Sequence, residues 1–385
     1  MSNEPENAEE EVISYDKERY TGVLQQLELQ SRELGEGGHP DIGIRNFNAA
    51  MHQILRSEEE SDLSGVIKDT LKKRTHIDPT HFVDLLARSM QYTLRRNGIT
   101  DYAAYDGDQW ADTIQKIASS PIQREMLSQQ LETRSVATHV VERYRGLTAV
   151  LSAMGGPLRV ADIGCSRNLG LPACLEHELL LGDSTGNGNN LTDNTPGNVV
   201  EQLIRARNFT FSRAVGVDKQ DLRTGDGLDW VTACAYFTKF NIVQDTYRRI
   251  QERANGSHAI VQTRVADMTQ GNVQELVATL QGETQRPLDI MHSSMMLYQL
   301  SDIHQGQVLH TVNESLREGG LFVELTFDNS ENWFGKIGNI VTTVRQKQDG
   351  HLSQPLTWIR WDNSRCRIAE PGEHFVEVNQ SLNLS

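Results

Sequence analysis

The chain has 385 residues, of which 37% are hydrophobic, and it carries a formal net charge of −15 at pH 7. This length predicts one large or two ordinary domains. The longest apolar runs, such as AVLSAM at 149–154, are too short to span a bilayer. Phosphate contacts dominate nucleic-acid affinity, so the negative charge argues against DNA or RNA as a partner.

The N-terminal segment is strongly acidic. Its first forty residues hold ten acidic and three basic residues, a net charge of −7, and the composition predicts a disordered arm over residues 1–20. No basic, apolar leader of the secretory type stands there. The four cysteines form no CxxC pair and no histidines have zinc spacing, so we expect no disulfide framework, no metal site and a cytoplasmic location.

Residues 21–140 carry apolar side chains at helical spacing and predict an all-helical N-terminal region. Its clearest helix begins at Asp78 and Pro79, a capping pair, and stops at Gly98. Two roles are open to this region. It could cover a binding site, or it could bind a second copy of the chain or another partner.

From Leu158 onward, short apolar strands alternate with helical stretches. The predicted strands are 158–164, 213–218, 259–267, 288–294 and 320–327. The predicted helices are 226–254, 270–281, 302–318 and 331–347. This alternation predicts an α/β domain over 141–385, with a doubly wound, mostly parallel sheet covered on both faces.

Two segments depart from the alternation. PLTWIRWD and HFVEVNQ, near the C-terminus, predict an antiparallel hairpin that closes the sheet. The Gly- and Asn-rich stretch at 182–198 predicts an inserted loop.

The first predicted strand ends in an acid and a tight turn, in the stretch VADIGCSRNLG at 160–170. Ligands of open α/β sheets bind beyond the carboxyl ends of the strands, and Gly164 would let the backbone approach one. A dinucleotide site requires glycine at 164, 166 and 169, but the chain has Gly, Ser and Leu there. An NAD-dependent oxidoreductase is therefore the less favoured alternative.

Five motifs in order resemble those of the class I S-adenosylmethionine-dependent methyltransferases. They are the turn DIGCSRN at 162–168, AVGVD ending at 218, RVADMT at 264–269, LDIMHSSMMLYQLSD at 288–302 and REGGLFVELTF at 317–327. The resemblance implies a Rossmann-like domain with a seven-stranded sheet and S-adenosyl-L-methionine as cofactor.

The resemblance also assigns cofactor contacts. Backbone N–H groups of the turn at 164–168 would meet the carboxylate of the ligand. Asp162 and Asp218 would accept hydrogen bonds from its amine and ribose. The other implied contacts are Gly164, Ser166, Asn168, Asp267, Met268 and Ser293.

Several of these assignments have alternatives. Asp267 could instead cap a helix beginning near Thr269. Asp218 follows Gly164 by about fifty residues, whereas the family usually has about twenty. The surplus, which includes the 182–198 loop, could be a lid or a surface loop, and an acid inside it, such as Asp183, could hold the ribose instead. Cys165 is interpreted as a small residue that packs in the core.

The segment after the fourth strand bears on the methyl acceptor. Family members that methylate adenine or glutamine amides usually carry Asn/Asp-Pro-Pro-Tyr there, whereas this chain has His-Ser-Ser-Met at 292–295. The resemblance therefore favours a small-molecule acceptor with an oxygen, carboxyl, carbon or amine. His292 is the candidate base or orienting group, or else a structural histidine. Tyr298 either lines the pocket or packs against the following helix.

Two other functions stay open. A non-catalytic cofactor-binding scaffold is one, because Ser166 and Asn168 replace two motif glycines. A protein methyltransferase is the other, and it would have an open cleft for the acceptor in place of a closed pocket.

Overall fold

The structure is a computed structural model. It describes residues 5–33, 41–57, 61–137, 141–176, 180, 196–234, 248, 261–282, 285–328, 340–361, 366 and 369–382. The chain divides into two compact units. The helical unit comprises Met1–Thr138 and Thr224–Val243, and the α/β unit comprises His139–Arg223 and Gln244–Ser385. Residues 224–243, predicted within the α/β domain, thus belong to the helical unit. No helix in the described part of the chain is long and apolar enough to cross a membrane.

Seven α-helices are described in the helical unit. They are α1 (Pro5–Ser31), α2 (Ile42–Ser57), α3 (Asp62–Lys73), α4 (Pro79–Arg96), α5 (Gly107–Ser119), α6 (Pro121–Thr133) and, after the first strands of the other unit, α10 (Gly225–Ala233). Helix α4 begins as predicted, with the Asp78 side chain accepting a hydrogen bond from the N–H of His81 and with Pro79 in the first turn.

The acidic arm is helical in the described backbone. Helix α1 runs from Pro5, although the composition predicts disorder over residues 1–20. Glutamate is a good helix former, and no glycine or proline interrupts the segment between Pro5 and the end of α1 apart from Gly22. Gly22 lies against Pro79, and an added Cβ would come within 2.9 Å of the proline ring.

Helix α10 is joined to the helical unit by polar contacts. The carboxylate of Asp226 accepts hydrogen bonds from the Tyr92 hydroxyl and the Arg134 guanidinium. The indole N–H of Trp230 donates to the carbonyl of Ser135 at 3.0 Å. One helix after the second strand of the sheet therefore completes the helical unit.

The α/β unit is built on a nine-stranded sheet. Its strands are β1 (Gly156–Ile163), β2 (Phe209–Asp218), β3 (Val261–Val265), β4 (Leu288–Ser294), β5 (Leu316–Phe327), β6 (Ile340–Gln348), β7 (His351–Leu352), β8 (Leu356–Trp361) and β9 (Ala369–Pro371). The order is β3-β2-β1-β4-β5-β6-β8-β9, and β7 pairs with β6. Strands β1 to β5 are parallel, and the pairs beyond β5 are antiparallel.

Helices cover both faces of this sheet. The helices are α7 (Arg145–Met154), α8 (Gly170–Cys174), α9 (Pro196–Ala206), α11 (Val273–Gln281), α12 (Asp302–Ser315) and α13 (Phe375–Ser381). Apolar side chains of α7, α8, α9 and α13 form one core cluster, and those of α11 and α12 form the other. The predicted doubly wound, mostly parallel architecture is confirmed.

The C-terminal part corrects three predictions. Within the described residues the sheet has nine strands, where seven were predicted, because an antiparallel meander follows β5. Residues 340–347, predicted as part of a helix, lie in strand β6, since the run Ile-Val-Thr-Thr-Val is β-branched and favours extended backbone. Conversely, HFVEVNQ forms helix α13 and not a strand, with Val378 buried in the core.

The inserted segment between β1 and β2 is described only in part. Residues 181–195, which hold Asp183 and most of the predicted 182–198 loop, lie outside the described residues. The rest of the surplus forms α9 and the first half of β2, which begins at Phe209.

Candidate active site

The turn after β1 is held to strand β2 by its backbone. The N–H groups of Gly164 and Cys165 both donate to the carbonyl of Val217, at 2.8 and 3.2 Å. The N–H of Ser166 donates to Oδ2 of Asp218 at 2.8 Å, and that of Asn168 to the carbonyl of Cys165 at 2.8 Å. These four N–H groups, predicted to meet a ligand carboxylate, are thus bonded within the protein.

Gly164 is required by its surroundings. Its φ is +70°, in the left-handed region that favours glycine. A Cβ at this position would lie 2.8 Å from Cγ of Met296, in the segment that follows β4. The turn and the segment after β4 therefore meet closely at the carboxyl edge of the sheet.

Asp162 lies at the centre of a buried hydrogen-bonded group. Its side chain has no exposed surface. Oδ2 accepts from the Tyr144 hydroxyl at 2.6 Å, and Oδ1 lies 2.8 Å from Nδ1 of His292. Both carboxylate oxygens are therefore occupied by protein groups, which places Asp162 behind the turn and not on an open surface.

Tyr144 completes this group, although no motif of the sequence singles it out. Burial beside Asp162 raises the pKa of its phenol well above the ordinary value, so the hydroxyl stays a donor. Its ring centroid lies 4.9 Å from that of His292. Gly170 gives room for the ring, because a Cβ there would lie 1.8 Å from the tyrosine. No local sequence signal links these residues.

Asp218 ends β2 beside the turn and remains partly exposed. Burial raises its pKa to about 6, against the opposing effect of hydrogen bonds from the backbone N–H groups of Ser166, Gln220 and Lys219. The parallel pairing of β2 with β1 brings the carboxylate to the turn despite the long insertion.

Asn168 points into the protein. It is 5% exposed, and its amide donates to the carbonyl of Gln262 at 2.8 Å and to Oγ1 of Thr263 at 3.0 Å. A Cβ on Gly216 would lie 2.3 Å from the asparagine side chain. Asn168 therefore fastens the turn across β2 to β3, where a ligand contact was predicted.

The residues after β3 divide between a turn and the core. Oδ1 of Asp267 accepts from the N–H and the hydroxyl of Thr269, at 2.9 and 2.6 Å. Helix α11 itself is capped by Asn272. Met268 is 5% exposed and packs in the core cluster of α11 and α12. The cofactor roles of both residues stay predictions.

The residues of β4 face opposite sides of the sheet. His292 pairs with Asp162 of β1 and is 1% exposed. Ser293, the next residue, is fully buried on the other face. Tyr298 lies beyond the strand, where its ring stands edge-on to Phe327 at 4.8 Å, so it packs against the end of β5.

The Cys165 thiol is not accessible for reaction at the surface. Its thiol is buried, and burial raises its pKa well above the ordinary value, so the reactive thiolate is disfavoured. The other three cysteines, Cys174, Cys234 and Cys366, are also buried.

Comparisons with known proteins give distant likenesses only. No protein-family model matches the chain, and no curated protein matches it. Among solved structures, it is similar to an S-adenosylmethionine-dependent methyltransferase from Clostridium acetobutylicum, with 11% identity and a TM-score of 0.23, over 63% of this chain and 78% of that one. It is also similar to an O-methyltransferase from neocarzinostatin biosynthesis, solved with S-adenosyl-L-homocysteine and 1,4-dihydroxy-2-naphthoic acid. That match has 12% identity and a TM-score of 0.27, over 87% of this chain and 85% of that one.

These scores carry no argument about activity. The described sheet itself, with the order β3-β2-β1-β4-β5 and an antiparallel extension, is the Rossmann-like arrangement that the sequence resemblance implies.

Proposed function

We propose that the chain transfers the methyl group of S-adenosyl-L-methionine to a small-molecule acceptor. One observation carries this proposal. The glycine turn after β1 is hydrogen-bonded to an acid that ends β2, at the point where the strand order of a doubly wound sheet reverses. That point is where such sheets bind their ligands.

The residues at this edge fit the cofactor at two places. Gly164 has no side chain to obstruct a ligand, and its φ of +70° keeps the turn tight. Asp218 is partly exposed at the end of β2, and its carboxylate, which already accepts a hydrogen bond from Ser166, can accept a further one from a ribose hydroxyl. When bound, the cofactor supplies a methyl group activated by a sulfonium.

The buried group at Asp162 has a positioning role in this proposal. The carboxylate accepts from Nδ1–H of His292 and from Tyr144, which fixes the imidazole against β1. Nδ1 of His292 is taken up by Asp162, and its ring lies against that of Tyr144, with 4.9 Å between the centroids. These contacts support the structural alternative for His292 over the base.

The first test is calorimetric titration of the full chain with S-adenosylmethionine, S-adenosylhomocysteine and NAD. We expect binding of both sulfur compounds and no binding of NAD. Asp218→Asn removes the charge of the side chain that would accept hydrogen bonds from the ribose, and it should weaken binding of both sulfur compounds about tenfold or more. Asp349→Asn is the matched control, because it makes the same change in an exposed turn with φ of +52°, which asparagine tolerates. Binding of NAD alone would contradict the proposal.

A non-catalytic scaffold is the second candidate, and one observation favours it. Four backbone N–H groups of the turn are bonded within the protein, which leaves fewer donors for a ligand carboxylate. A scaffold would bind the sulfur compounds, or nothing, and would methylate no member of an acceptor panel followed by mass spectrometry.

A further inference from the structure

A row of polar side chains crosses the sheet on the face opposite Asp162 and His292. Backbone pairing aligns Ser293 of β4 with Glu324 of β5, and Glu324 with Thr343 of β6. Residues in register on neighbouring strands project to the same face, about 5 Å apart. Ser293 is fully buried, and Glu324 and Thr343 are each 7% exposed.

This polar row (Ser293, Glu324 and Thr343) has unmet hydrogen-bonding capacity. Within the described part of the chain, Oγ of Ser293 and Oγ1 of Thr343 have no hydrogen-bond partner. Nε of Arg345, two residues along β6 from Thr343, has none either. Buried polar groups in proteins are nearly always hydrogen-bonded. Three unpaired groups around one carboxyl therefore indicate a site that receives a polar ligand.

The row lies at the same edge as the turn. Ser293 pairs with Ile163, the residue immediately before Gly164. Ser293 is also the penultimate residue of β4, and Glu324 lies three residues before the end of β5. A molecule bound along the row would thus reach the position proposed above for the methyl donor.

The charge at the row selects among acceptors. Arg345 is the charged side chain whose field acts on Glu324, and the in-register neighbours of Glu324 are neutral. The charges of Glu324 and Arg345 offset each other, so the row has no net charge to attract an ammonium or a carboxylate. A hydroxyl suits such a row, since it can donate to the Glu324 carboxylate and accept from Ser293 or Thr343.

Glu324 also has suitable basicity. Burial raises its pKa to about 7, opposed by Arg345 and by a hydrogen bond from Thr326. A base of this strength is matched to an acidic hydroxyl such as a phenol or an enol, and is far too weak for an ordinary alcohol.

We propose that the polar row is the acceptor site and that Glu324 takes the proton of a phenolic or enolic hydroxyl during methyl transfer. This inference rests on the proposed function and names its acceptor class. The O–H proton passes to the Glu324 carboxylate, and an oxygen electron pair forms the new bond to the methyl carbon. The carbon–sulfur bond breaks with its pair left on sulfur, which gives a neutral methyl ether and a neutral thioether. The proton then leaves Glu324 for solvent.

The test uses 4-nitrophenol as a probe, because its absorbance reports both binding and ionisation. The full chain is titrated with it, with and without S-adenosylhomocysteine. We expect binding that shifts the spectrum, and a loss of at least tenfold in affinity in Ser293→Ala. In Glu324→Gln we expect the bound phenol to stay un-ionised near pH 7. Glu318→Gln, an exposed acid on the same strand, is the matched control and should behave as the unmodified protein. Melting temperatures show whether each variant folds.

Turnover gives the second readout, with catechol as acceptor. Glu324→Gln should keep its affinity for S-adenosylmethionine within about threefold, lower kcat/KM at least 100-fold and remove a rise in rate centred near pH 7. Unchanged turnover and pH profile in this variant would overturn the inference, as would sulfur-compound binding with no binding of either phenol. If neither sulfur compound binds, the proposed function fails. The polar row is then still tested as a ligand site by whether Ser293→Ala and Glu324→Gln change the binding of 4-nitrophenol.

Discussion

Asp162 shows how much a single buried side chain depends on its partners. A carboxylate without exposed surface is costly unless its oxygens are hydrogen-bonded, and here two side chains from different elements meet that need. Tyr144 precedes α7 in the chain, and His292 lies on β4. The acid at the end of the first strand thus fixes three elements together, in addition to any effect on a ligand.

Two raised carboxyl pKa values predict how stability depends on pH. Glu324 has a pKa of about 7 in the folded protein against 4.5 ordinarily, and Asp218 about 6 against 3.8. The folded state therefore holds these protons more tightly than the unfolded chain. The stabilisation is complete below the ordinary values and is lost as pH rises through about 6 and 7.

We expect the free energy of unfolding of the α/β unit to fall between pH 5 and pH 7.5, by about 2 kcal/mol for Glu324 alone. Glu324→Gln should flatten this dependence, and Glu318→Gln should not. Urea titrations at the two pH values measure the difference. A Glu324→Gln curve as steep as that of the unmodified protein would contradict the assigned pKa.

At the scale of elements, the turn after β1 is fixed by a side chain that crosses the neighbouring strand. Asn168 reaches over Gly216 of β2 to hydrogen-bond with β3, so the size of one residue sets the space left for the other. This packing explains why glycine stands inside β2, where it otherwise weakens a strand.

A double-mutant cycle tests this arrangement. Gly216→Ala should destabilise the protein by about 1–3 kcal/mol, because the new methyl group collides with Asn168. In an Asn168→Gly background the same change should cost little or become favourable, since the obstruction is gone. Urea denaturation of the four proteins gives the coupling free energy. Additive effects would show that the two residues do not contact.

At the scale of the whole molecule, the chain crosses between the two units more than once. Helix α10 follows β2 in the sequence but belongs to the helical unit, where Asp226 receives hydrogen bonds from α4 and from the chain just after α6. The helical unit is therefore assembled from distant parts of the sequence and cannot be complete before β2 has been synthesised.

Asp226→Asn should loosen that assembly. The change removes the charge that pairs with Arg134 and weakens the bond to Tyr92, so we expect amide hydrogen exchange to accelerate in α10 and α4. Asp229→Asn is the matched control, because its ion pair with Arg96 is largely exposed and contributes little. Equal exchange in both variants would mean that the Asp226 contacts do not hold α10.

Local pattern alone determined much of the architecture. The alternation of apolar strands with helices gave the parallel part of the sheet, and β4 has the predicted bounds of 288–294. Helix α12 likewise begins where predicted. These features depend on periodicity and capping, which reside in neighbouring residues. The position of Asp218 beside the turn also follows, because parallel strands place their carboxyl ends at one edge.

Tertiary structure decided what each polar residue contacts. Asp162 and Asn168 are predicted ligand contacts, and these roles stay predictions. The structure adds their partners within the protein, which are Tyr144 and His292 for Asp162 and residues of β3 for Asn168. Periodicity indicates that a residue is buried, but it does not say which distant segment meets it. The same holds for the polar row, whose members are more than fifteen residues apart in the chain and become neighbours only through strand register. Long-range pairing, and not local preference, built the candidate site.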